Sequence, residues 1–114
     1  MTEPLISIGI PSYNQSPYLK EAIESALENH PHEIIVVDGG SNDGTVEIAK
    51  SFGAKVVTTD NPPIFHINKQ KALDLCHGDW ILQLDADEVV DSALCAEIIS
   101  IIGDRKTFNG YYIP

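Results

Sequence analysis

"EIIVVDGGSNDGT", residues 33–45, decides the fold. From Glu33 to Asp38 the apolar side chains fall on both parities, Ile34 and Val36 on one and Ile35 and Val37 on the other. A strand wet on one face alternates apolar with polar, so this stretch reads as a strand of a parallel sheet covered by helices on each side. "GGSNDG" then turns the chain, and Thr45 to Phe52 reads as a short helix stopped by Gly53.

Working outward gives the same alternation. Before this stretch, "LISIGIP" reads as a buried strand that turns at Pro11, because proline cannot continue a central ladder. Ser16 and Pro17 start a helix in which Leu19, Ala22, Ile23, Ala26 and Leu27 share a face, running to about Asn29. After it come "AKVVTT" as strand three, a helix near Asn68 to Cys76, the strand "WILQL", and a helix capped by Asp91 and closed by Gly103. "GYYIP" reads as a strand just beginning. The order β-α-β-α-β-α-β-α predicts one domain, residues 1–114. It is an α/β fold with an open, mostly parallel, Rossmann-like sheet and helices on both faces.

In such sheets ligands bind beyond the carboxyl ends of the strands. "PSYN" follows strand one, Asp38 ends strand two, "TDN" follows strand three, and Asp85, Asp87 and Glu88 follow strand four. The acids are expected on one rim.

Asp85 and Asp87 stand two apart at a strand end, where a side-chain period of two can aim both carboxylates to one side. Two such oxygens suit a hard cation, Mg²⁺ or Mn²⁺, which leaves its other positions to water and phosphate, whereas zinc would want nitrogen or sulfur. A solvated acidic turn is the plain alternative. An EF-hand loop from Asp85 would need Gly at its sixth position and Glu at its twelfth, where Val90 and Ala96 stand. A P-loop ATPase would need G-x-x-x-x-G-K-[ST], which the chain lacks. A phosphatase with Asp85 as nucleophile and Asp87 as acid fits the spacing and would not need Asp38.

The glycines after Asp38 invite a phosphate cradle, but the stretch has no Lys, and Asp38 and Asp43 would oppose a phosphate. A tight turn is the simpler reading. Asp38 either caps that turn or accepts the imide N–H of a uracil or the similar N–H of a guanine. Lys69 and Lys71, with His66 nearby, gather at the start of the third helix, either to meet phosphate or as a solvated helical face. His30, His32 and His77 form no ligand pattern and read as surface residues, while Trp80 and Phe52 read as core.

Seven Lys and Arg against 17 Asp and Glu give a formal net charge of −10, which leaves no footprint for nucleic acid or an anionic membrane. A phosphate ligand would therefore arrive with a cation. With 43% apolar and 21% charged residues the chain has the composition of a folded globular domain. Cys76 and Cys95 have no metal-ligand spacing and read as reduced core thiols. No apolar run is long enough to span a membrane and the start lacks a signal peptide's regions, so the cytoplasm is the expected location. An open sheet also leaves an edge strand to which a second copy could add, and a homo-oligomer is considered on that ground.

Taken together, "ISIGIPSYNQSPYLKEAIESAL", "EIIVVDGGSNDGT" and "GDWILQLDADE" resemble the amino-terminal, donor-binding half of family-2 glycosyltransferases with the A-type nucleotide-sugar fold. "LDADE" looks most like the branch that includes lipopolysaccharide-core glucosyltransferases. The resemblance implies transfer of a sugar from a nucleotide diphosphate donor, a UDP-sugar in many members, to a glycan or lipid-linked acceptor, with inversion. It implies a nucleotide pocket at Pro11, Tyr13 and Asn14, with Asp38 on the base and Lys69 on the nucleotide. Asp85 would face the ribose or the metal's water shell, and Asp87 would bind the metal bridging the donor's phosphates.

Gly39, Gln70 and Cys76 depart from the residues usual at those places, a second acid, Asn and Ala. The family's acceptor part and candidate base lie beyond the 27 residues that follow Asp87. Glu88 stands too near the metal to be the first choice for that base. A non-catalytic or truncated nucleotide-sugar-binding module is the alternative from a different class.

Overall fold

The computed structural model describes residues 5–60 and 65–103. It alternates strand and helix throughout: β1 (Ile6–Ser12), α1 (Ser16–Leu27), β2 (Glu33–Asp38), α2 (Thr45–Ser51), β3 (Lys55–Thr58), α3 (Phe65–Leu75), β4 (Trp80–Gln83) and α4 (Ser92–Ile102). The four strands form one sheet in the order β3-β2-β1-β4, and all pairs are parallel. Strand order runs outward from β1 to β3 and then jumps back to β4, so the switch point lies between β1 and β4. A crevice at the carboxyl ends of the strands is expected there.

β2 spans the six residues expected, buried along its whole length. Its two parities serve two cores. On one face Ile6, Ile8, Ile10, Ile34, Val36 and Leu82 pack against α1 (Leu19, Ala22, Ile23, Ala26), Ala49 of α2 and Cys95 of α4, with Phe52 and Trp80 partly buried at the margin. On the other, Ile35 and Val37 pack against Ala72, with Leu75 and Cys76 beside them. Helix α3 sits close because small residues meet there: a Cβ on Gly9 would lie 3.3 Å from the Ala72 Cβ.

Pro11 corrects the expectation of a turn. β1 is a central strand and runs through Pro11 to Ser12, pairing Pro11 with Val37. Backbone groups of successive strand residues point to opposite sides. Ser12 accepts from Gly39 N–H on the β2 side (2.9 Å) and Gly9 accepts from Leu84 N–H on the β4 side (3.0 Å). Pro11 thus faces the β4 side, where the ladder has already ended at the Gly9–Gln83 pair, and no bond is lost.

Other boundaries shift modestly. α1 ends at Leu27, and α3 begins at Phe65 rather than near Asn68. Asp91 caps α4 as expected, accepting Leu94 N–H at 2.7 Å. "GYYIP" lies outside the described residues. Among the described residues no helix is long and apolar enough to cross a membrane. Cys76 and Cys95 are free thiols. Burial pushes both above the ordinary thiol range, which keeps them protonated and unreactive.

At the amino-terminal foot of the sheet the buried Glu33 gathers four donors. Its carboxylate accepts from the Ser7 hydroxyl (2.6 Å), the backbone N–H of His77 and Lys55 Nζ (3.4 Å), with His77 Nδ1 at 3.3 Å. Ser7 Oγ in turn accepts from Gly78 N–H at 2.7 Å. Space around Gly78 is closed: an added Cβ would lie 2.7 Å from Ser7 N and Oγ and 2.9 Å from Leu5 O. Gly78→Ala should therefore force backbone apart and lower stability by about 1–3 kcal/mol, read as a shifted denaturant midpoint at unchanged slope.

Candidate functional site

Because every strand is parallel, the loops following β1, β2, β3 and β4 leave from one edge of the sheet. The first two are laced together. Asn14 takes a left-handed backbone (φ 50°), donates its N–H to Ser41 Oγ at 2.7 Å, and accepts Asn42 N–H on its Oδ1 at 3.1 Å. Gln15 N–H reaches Thr45 Oγ1 at 3.1 Å, and Ser16 N–H reaches Asp43 Oδ2 at 3.1 Å. Tyr13 stands at the rim of this lacework with its side chain exposed.

Asp43 serves two helix starts. It accepts Ser16 N–H at the head of α1 and both the N–H and hydroxyl of Thr45 at the head of α2. The Thr45 hydroxyl foremost, against the opposing effect of desolvation, and then the Ser16 and Thr45 backbone bonds hold its carboxyl down to about 2. Its charge is directed at two helix amino ends, where a negative charge is favourable.

Asp38 is fully enclosed. Oδ1 accepts the hydroxyls of Ser12 (2.8 Å) and Ser41 (2.6 Å), and Oδ2 accepts the N–H groups of Gly40 (3.0 Å) and Ser41 (2.7 Å). A carboxylate offers roughly four acceptor positions, and these four donors match that capacity. The backbone of Asp38 ties in the third loop, since its carbonyl accepts Thr59 N–H at 2.7 Å. Thr59 Oγ1 then donates to Oδ1 of the buried Asn68 on α3 at 3.0 Å.

Beyond β4 the chain makes a tight turn. Leu84 and Ala86 take buried positions, Asp85 is partly exposed, and Asp87 and Glu88 are exposed. Lys69 on α3 reaches across to this turn, with Nζ 3.3 Å from Asp85 Oδ1. With side chains 23% and 36% exposed, such a pair contributes at most about 1 kcal/mol. Its use is to place a cation beside the acids. Lys71 is exposed on the same helix.

The structure thus brings Lys69 to Asp85 and ties Asn14 into the loop that Asp38 organises. It leaves Tyr13 and Asp87 exposed and buries Pro11 in the sheet. Among the described residues no three His, Cys, Asp or Glu side chains form a metal-binding group. The two aspartates nonetheless offer the hard, anionic oxygens that Mg²⁺ or Mn²⁺ takes when phosphates and water complete the shell, so the donor set fits such an ion. Ser12, Ser41, Thr45 and Thr59 carry the lacing with Asp43, and the sequence alone gives none of them that role. Their signal is the crowding of Ser, Thr and Asp directly after strand ends, where short polar side chains bond nearby backbone.

A nucleotide-binding type of α/β fold with an acidic turn at the switch point has known counterparts. The model of glycosyl transferase family 2 matches residues 7–110. A Rickettsia bellii (strain RML369-C) protein named "Uncharacterized glycosyltransferase" is 42% identical over 102 residues, covering 89% of this chain and 34% of that protein. The structure of S. aureus TarS 1-349 superposes with a TM-score of 0.77 at 22% identity, covering 96% of this chain and 38% of that one, which shows the fold. Glucosyl-3-phosphoglycerate synthase from Mycobacterium tuberculosis, solved with Mn²⁺, UDP and glucosyl-3-phosphoglycerate, superposes with a TM-score of 0.63 at 27% identity, over 73% of this chain and 33% of that one. The chain belongs to glycosyltransferase family 2. It spans about a third of the length of the rickettsial relatives it matches.

Proposed function

We propose that this chain is the donor-binding half of a metal-dependent, inverting glycosyltransferase that takes a UDP-sugar. The observation that carries the reading is the turn after β4, where Asp85 and Asp87 stand at the switch-point edge and Lys69 lies 3.3 Å from Asp85. UDP and a divalent ion are supported by the mycobacterial synthase, whose structure holds both. The lipopolysaccharide-core branch rests on "LDADE" alone.

Sugar transfer breaks the bond between the anomeric carbon and a diphosphate, so the protein's task is to neutralise and hold that departing charge. Asp87, with Asp85, would hold a divalent ion, which would supply Lewis-acid stabilisation of the diphosphate. Lys69 adds a positive charge from the α3 side. Tyr13 presents an aromatic ring at the rim for the nucleoside, while Pro11 and Asn14 fix the backbone behind it. For Asp38 to meet the base, one of its four present donors must yield a lone pair. The acceptor site and the base that takes the acceptor's proton are assigned to the part of the protein beyond this chain. An acceptor of glycan or lipid-linked type is proposed with them, and the cytoplasm as the location, in keeping with two free thiols.

The short span relative to the relatives favours one second reading, a module that binds the donor without turning it over. Pairing of two copies along an edge strand, β3 or β4, is also proposed, and a monomeric mass at high concentration would count against it.

Calorimetric titration of UDP and GDP, with and without Mn²⁺, tests the site. UDP binding should require Mn²⁺ and should weaken at least about tenfold, or ~1.4 kcal/mol, in Asp87→Ala. Binding that ignores both changes would remove the assignment.

A further inference from the structure

Glu88 is the third acid of the "DADE" turn, and neither metal nor substrate has yet been given to it. Its side chain is turned back on the chain: Oε1 accepts the N–H of Asp85 at 2.8 Å, while its own N–H donates to the Asp85 carbonyl at 3.0 Å. These reciprocal bonds close a ring over Ala86 and Asp87, with the logic of a helix capping box in which one residue's backbone and side chain both secure the residue three before it. Ala86 at 3% exposure plugs the turn into the core, and Lys69 holds the Asp85 carboxylate from α3. The turn is therefore held through the core, through the Asp85 backbone and through the Asp85 side chain.

We propose that Glu88 is a positioning residue: by accepting the Asp85 N–H it fixes the 85–88 turn, and so sets Asp85 and Asp87 for the cation. The inference rests on the reading of those two aspartates as the metal's ligands. What Glu88 supplies is an acceptor oxygen, and its negative charge is incidental. That separates this role from a third metal ligand and from a general base, both of which need the carboxylate itself. Residues that hold a metal ligand through hydrogen bonds commonly govern affinity by 10–100-fold without touching the ion.

The test compares Glu88→Ala, which removes the acceptor, with Glu88→Gln, which keeps an acceptor oxygen and discards the charge. Two quantities are measured on the whole chain: solvent exchange of the Asp85 amide by NMR without metal, and Mn²⁺ affinity in the presence of UDP by electron paramagnetic resonance. Glu88→Ala should speed exchange of that amide and weaken Mn²⁺ about tenfold, whereas Glu88→Gln should leave both within about twofold of the parent. Two results would overturn the proposal: an Asp85 amide indifferent to Glu88→Ala, or a Glu88→Gln variant that keeps the amide protected yet loses Mn²⁺ as badly as Glu88→Ala. Should the parent chain itself bind no Mn²⁺, the metal reading fails. The amide exchange would then still decide whether Glu88 holds the turn.

Discussion

Glu33→Gln is expected to lower the unfolding free energy at neutral pH by about 3 kcal/mol. Burial alone would raise the Glu33 carboxyl. The bonds from Ser7, the His77 backbone and ring, and Lys55 outweigh it and bring the pKa from 4.5 to about 2. A drop of that size is the source of the figure, at about 1.4 kcal/mol per unit. The glutamine keeps one acceptor oxygen but turns an amide N–H₂ toward groups that are themselves donors, so the loss cannot be made good by a small rotation.

The sign of the pH dependence follows from the lowered value. Above pH 4.5 the group is ionised in both folded and unfolded chains, and its contribution is present in full. As pH falls from 4.5 toward 2 the unfolded chain takes up the proton first, and the contribution is lost. Denaturant titrations across that window should show the parent losing its advantage over Glu33→Gln. A gap between the two proteins that stays constant down to about pH 2 would refute the linkage.

The second large effect is expected at Asp38. Asp38→Ala would strip the partner from two hydroxyls and two backbone N–H groups around a fully buried position. Hydroxyls can turn elsewhere, but the Gly40 and Ser41 N–H groups are fixed by the turn. Each left unpaired costs about 1–3 kcal/mol, so a total loss of ~2–6 kcal/mol is expected, seen as a thermal midpoint well below that of the parent. This bears on how nucleotide binding is interpreted. Asp38→Ala should lose UDP whether or not the carboxylate meets the base, because the loops carrying Tyr13 and Asn14 depend on it. Asp38→Asn is the sharper probe, since the side-chain oxygen can still accept two donors while the imide acceptor is weakened. A stable Asp38→Asn chain with undiminished UDP affinity would show that Asp38 shapes the turn and does not contact the base.

Much of this architecture is legible in residue order. β2 shows its two-sided burial in four consecutive aliphatics, and Asp91 announces the α4 cap by type and place. The rim that collects Asp38, Asp85 and Asp87 follows from parallel pairing alone. What is not legible depends on distances between segments remote in sequence. Pro11 looks like a strand terminator until the side its nitrogen faces is known, and that depends on where β4 stops pairing. Glu33 looks like a polar residue opening a strand, and only the approach of His77 and Ser7 makes it a buried, ionised hub. The capping reading of Asp38 could be entertained from sequence, but the number of its donors could not. Ser12, Ser41 and Thr59 come from the carboxyl ends of three different strands or the turns just after them, and nothing in any one of these segments predicts the lacing.

Strand β2 carries an enclosed carboxylate at each tip, Glu33 at one and Asp38 at the other. Five steps of about 3.3 Å separate them by roughly 16 Å, farther than a Debye length in ordinary buffer. A change of charge at one tip should therefore be felt little at the other. A chain engineered for endurance could be altered around Ser7 and His77 without retuning whatever molecule the opposite tip receives.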